Sequence, residues 1–122
     1  MADFFFNAVR RDISMVKGDT LAFGFQIQGL GGSEPSSIIF TCKNTPEDTS
    51  ALFAVSLDDN ITLRDYNSEE DIYTYSVRIP PSLTEDLDIG RYFYDLQLTA
   101  NDDILTLMIG RLTLEQEITK NT

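Results

Sequence analysis

The stretch DLDIGRYFYDLQLT, residues 86–99, decides the fold of this chain. From Gly90 onward its side chains alternate, with Tyr92, Tyr94, Leu96 and Leu98 on one face and Phe93, Asp95 and Gln97 on the other. A helix repeats every 3.6 residues, so a strict period of two specifies a strand with one buried face. Gly90 stands where the chain must turn into that strand, and the lack of a Cβ permits backbone angles that other residues avoid.

The same period recurs on both sides. TLAFGFQIQ places Leu21, Phe23, Phe25 and Ile27 on one face, and IYTYSVRI does the same with Tyr73, Tyr75, Val77 and Ile79. Shorter strands are expected in RDISMV, SIIFTCK and ALFAVSL. In DILTLMIGRLTLEQEIT, Leu105, Leu107 and Ile109 alternate up to Gly110, and Leu112 and Leu114 resume out of phase, which predicts a bulge or bend at Gly110. Connections are short and polar: KGD at 17–19, GLGGSEP at 29–35, LDDN at 57–60, NSEED at 67–71. AND at 100–102 joins two alternating strands and is the strongest hairpin signal. PSLTEDL predicts one helical turn, with Ser82 capping and Glu85 three residues on. Seven or eight strands without a major helix predict an all-β, antiparallel β-sandwich.

At 122 residues the chain fits one domain, large enough to bury roughly two-thirds of its unfolded surface. Residues 1–8 read as an N-terminal aromatic arm and 9–119 as the sandwich domain. The formal net charge of −11 repels phosphate backbones and anionic lipid, so neither nucleic acid nor a membrane is an expected partner. The single cysteine, Cys42, excludes an internal disulfide and reads as a small buried apolar residue, compatible with a reducing cytoplasm. MADFFFNAVRRD lacks a basic segment before its phenylalanines and a long apolar run, so it reads as neither signal peptide nor membrane span.

In the tyrosine corner of immunoglobulin-like domains, a tyrosine near the start of a strand bonds a backbone group a few residues upstream, and a cysteine follows two residues later. Gly90, Tyr92 and Tyr94 reproduce that spacing, with Tyr92 as the corner residue. Tyr94 stands at the cysteine's position, as a core aromatic filling the space of the disulfide. The segments MVKGDTLAFGFQI, IIFTCKN, YSVRIPPSLTEDLDIGRYFYDLQLT and TLMIGRLTLEQEIT together resemble the immunoglobulin-like domains of tailed-phage virion proteins, in particular the N-terminal domain of siphophage baseplate upper proteins. The resemblance spans about residues 11–119. It implies a structural protein of a phage or prophage tail or baseplate, made in the bacterial host cytoplasm and resident in the virion. Protein–protein assembly would be its mode of action, as a homo-oligomer, with other tail proteins, or both. The alternative from another class is a non-viral immunoglobulin-like binding module, carbohydrate-binding or adhesive.

Enzymatic chemistry is not expected, because the chain has no histidine and no phosphate-binding glycine motif. Asp58-Asp59, Glu69-Glu70-Asp71 and Asp102-Asp103 fall in expected turns, where carboxylates normally face water. No cofactor or metal is expected, and the acidic loops lack the spacing of an EF-hand calcium site. Phe4, Phe5 and Phe6 break the alternation and cannot all enter one sheet face. They form a candidate interaction arm, which either folds back over the sandwich edge or its open end, or docks on a neighbouring subunit.

Overall fold

The computed structural model describes residues 9–116. Nine strands form wherever the sequence alternates, and in two places where it does not: β1 (Val9–Arg10), β2 (Ile13–Val16), β3 (Leu21–Gln28), β4 (Ser37–Lys43), β5 (Phe53–Leu57), β6 (Asn60–Asn67), β7 (Ile72–Ile79), β8 (Gly90–Ala100) and β9 (Asp103–Glu115). The described residues are all-β, with a single 3-10 turn among them at Pro81–Leu83. Pro80 occupies the N-cap of that turn without a side-chain bond, so Ser82 does not cap it and instead lies inside it.

The strands follow the order β1-β9-β8-β4-β5-β6-β7-β3, with β2 also on β9. Consecutive pairs β4–β5, β6–β7 and β8–β9 are antiparallel, while β1 and β2 run parallel to β9. The two halves stay joined as one sheet through the short parallel contact of β5 with β6, Ser56 with Asn60 and Leu57 with Ile61. Asp58 and Asn60 take positive φ at that corner (67° and 74°), a conformation their short polar side chains tolerate. The sheet thereby curls so that β3 faces β4: the rings of Phe23 and Phe40 lie 6.1 Å apart, although their strands are separated by three others in the sheet order.

The core is filled from both halves, by Ile38, Phe40 and Leu96 from one and by Ile61, Tyr75 and Val77 from the other. Strand β6 was not legible as a strand because only Ile61 is buried, and a register shift between Leu63 and Asp65 breaks the alternation. The β8–β9 hairpin turns on Asn101 and Asp102, both at positive φ (53° and 68°), which matches the twist of the flanking strands.

The irregularity expected at Gly110 lies instead at Leu107. Leu96 pairs with Met108 and Gln97 with Thr106, which leaves Leu107 as the extra residue of a bulge. Beyond it Met108, Gly110, Leu112 and Leu114 face the partners Leu96, Tyr94, Tyr92 and Gly90, and Ile109 pairs with Asp95. Ile109 therefore shares the outer face and not the face of Leu105. Gly110 serves close approach: a Cβ there would lie 2.1 Å from the Arg11 carbonyl oxygen.

Candidate functional site

Strand β3 supplies one wall of a cleft of about 540 Å³ that opens along one side of the molecule. Leu21, Phe23, Phe25 and Ile27 project into it, because the strand's period of two sends every second side chain inward. The opposite wall is Val9 and Ile13 with Leu107 and Met108, and Leu96 lies between the walls. Leu21, Phe23 and Phe25 remain half-buried, whereas the inward residues of β7, Tyr73, Tyr75, Val77 and Ile79, are fully covered. The bulge shapes this wall, since it places Leu107 and Met108 side by side along the cleft.

Among the described residues β3 pairs with β7 alone, over all eight of its positions, so its other edge carries no strand. Natural edge strands are usually blunted by charge, proline or a bulge. The residues of β3 on its outer face, Ala22, Gly24, Gln26 and Gln28, include no charge and no proline, and its register with β7 is unbroken. Chemically, such a place can bind: backbone groups accept another strand, and the apolar cleft receives every second side chain of it.

Gly90, Tyr92 and Tyr94 lie together at the other edge of the interior. The Tyr92 hydroxyl donates to the Asp88 carbonyl at 2.6 Å, and Gly90 takes a φ of 155° where the chain enters β8. Tyr94 stacks on Phe40 at 5.0 Å, and its hydroxyl donates to the Arg11 carbonyl. Burial pushes the Tyr94 hydroxyl up from its ordinary value, helped by Asp12 and opposed by Arg11. Cys42 is fully buried on β4, and burial pushes its thiol up to about 12, which leaves it without thiolate character at neutral pH. Phe4, Phe5 and Phe6 lie outside the described residues, as do Ile118 and Thr119 of the closing segment.

Of the acidic turn residues at 69–71, Asp71 does more than face water. The Asp71 carboxylate accepts from the backbone N–H of Gly31 at 2.6 Å and of Gly32 at 3.1 Å, and from the Tyr66 hydroxyl at 3.3 Å. It thereby ties the glycine-rich loop to the β6–β7 turn, a long-range role that its sequence neighbourhood does not announce. No group of three or more His, Cys, Asp or Glu that could hold a metal ion occurs among the described residues. A smaller recess of about 270 Å³ lies on the outer face beside Phe93, Asp95 and Ile109. Burial pushes the Asp95 carboxyl up, and Lys43 opposes the shift. No described helix is long and apolar enough to cross a membrane.

Comparison with protein-family models finds no match for the chain, and comparison with curated proteins finds none.

Proposed function

We infer that the protein acts by binding and assembly, as a structural component of a phage or prophage tail or baseplate, made in the host cytoplasm and carried in the virion. The observation that carries the binding part is the pairing of an uncharged, one-sided edge strand, β3, with an apolar cleft of about 540 Å³ directly beside it. An edge and a cleft that the described residues leave uncovered invite association, and the charge of −11 keeps copies dispersed until a specific surface engages. The virion part rests on the sequence resemblance of residues 11–119 to the immunoglobulin-like domains of tailed-phage proteins. No catalytic step and no cofactor is part of the proposal.

Mass spectrometry of purified particles from the encoding phage or induced prophage provides the test, with electron microscopy of particles labelled on this chain. The chain is expected in intact virions, with label at the tail. Its absence from purified particles, or a gene neighbourhood of metabolic enzymes without tail genes, would overturn the virion part.

A further inference from the structure

We propose that the cleft beside β3 receives the N-terminal segment of a second copy of this chain, residues 1–8, with Phe4 and Phe6 entering the cleft and the backbone pairing along the free edge of β3. The proposal rests on the binding function inferred above and names its partner. Three observations support it. The first is length: residues 1–8 are enough to pair along the eight residues of β3. The second is volume. A cavity of about 150 Å³ holds one benzene ring, so a cleft of about 540 Å³ has room for the rings of the segment and not merely for solvent. In an extended strand Phe4 and Phe6 point to one side and Phe5 to the other, which gives two rings to the cleft and one to the outside. The third is charge: Arg11 lines the cleft, and Asp3 immediately precedes the phenylalanines.

A second copy suits this arrangement better than the chain's own segment. Val9 is itself in the cleft wall, in parallel register with Met108 of β9. To lie on β3, the same chain would have to double back immediately before Val9. A segment from another copy needs no such reversal. Donor and acceptor surfaces then differ, so the contact is head-to-tail and extends into a ring or filament instead of stopping at a symmetric pair.

Complementation of two full-length variants tests this by sedimentation at 0.15 and 0.5 M salt. The donor-defective chain carries Phe4→Asp and Phe6→Asp, and the acceptor-defective chain carries Phe25→Asp, or Met108→Asp on the opposite wall if the first does not give a cooperative melt. The native chain is expected to form species heavier than its 13.8 kDa monomer with rising concentration. Each variant alone should stay monomeric, and an equimolar mixture should give a 1:1 dimer and nothing larger. Variants that associate as the native chain does would overturn the proposal while leaving assembly through another surface intact. A native chain that remains monomeric, and whose donor variant melts at lower temperature and binds a hydrophobic dye, would show the segment covering its own cleft. That result overturns the second-copy proposal, and the presence of the chain in virions is judged independently by the particle analysis.

Discussion

The Tyr94 hydroxyl donates its hydrogen to the backbone carbonyl of Arg11, 83 positions earlier in the chain. In an immunoglobulin-like corner this position carries the cysteine of an inter-sheet disulfide. Here a hydrogen bond and a stacked pair with Phe40 stand in its place, and they fasten the link between β1 and β2 to β8. Tyr94→Phe keeps the ring and removes the bond, at an expected cost of about 1 kcal/mol in urea unfolding. The folded hydroxyl has a raised pKa, so its contribution is complete below about pH 10, the unfolded value, and is lost as pH rises through the higher folded value. The difference between native and variant chains should therefore shrink in alkali. A constant difference from pH 7 to pH 11 would remove the hydroxyl from the account.

Gly110 is paired with Tyr94 and lies under Arg11. Gly110→Ala places a Cβ 2.1 Å from a backbone oxygen, which cannot move aside as a flexible side chain would. The β1–β2 link must lift, at an expected cost of about 1–3 kcal/mol or more, with faster amide exchange at the β2 residues paired to Leu112–Glu115. An alanine variant with native stability and native exchange in β2 would contradict the close approach.

Asp71 should act as a clamp on the Gly31–Gly32 loop. Asp71→Asn weakens two bonds to backbone N–H groups, and the Gly31 and Gly32 amides should exchange at least several-fold faster while global stability falls by about 1 kcal/mol or less. Unchanged exchange at both glycines would show the loop held by other means.

Asp95 lies on the outer face, beside the smaller recess and paired with Ile109. Burial raises its carboxyl, so folding favours the protonated form: its contribution is complete below the unfolded value near pH 4 and is lost as pH rises through the folded value. Asp95→Asn should thus stabilise the chain at pH 7 by less than about 1 kcal/mol, because solvent screens the partly exposed group, and should change nothing at pH 3. A variant less stable than the native chain at pH 7 would mean that the attraction to Lys43 outweighs burial.

Much of the fold was readable one residue after another. The alternations in residues 21–28, 72–79 and 92–98 each name a buried face, and the structure buries Ile27, Tyr73 to Ile79 on odd numbers, and Tyr92 to Leu98 on even ones. A strand's faces depend only on its own period. Asn101 and Asp102 likewise carry their hairpin locally, since both tolerate positive φ. Gly90 and Tyr92 lie close enough in the chain to Asp88 for a corner to be legible from spacing. Strand β6 was not legible, because its exposed residues and its register shift erase the period.

The candidate site depended on relations that no local pattern contains. TLAFGFQIQ reads the same whether it is a central strand or an edge strand, and only the absence of a described partner beyond β7 makes β3 an edge. Leu107 and Gly110 lie in one alternating run, and sequence alone placed the irregularity at the glycine because glycine is the usual mark of a bulge. The pairing of Leu96 with Met108 decides otherwise, and Arg11, distant in sequence, explains the glycine. Sequence by itself determined which side chains are buried and where the chain turns, since both follow from neighbours along the backbone. Tertiary structure alone decided which edge stays open, what Asp71 and Tyr94 hold, and where the apolar cleft lies, because each is a contact between residues far apart in the chain.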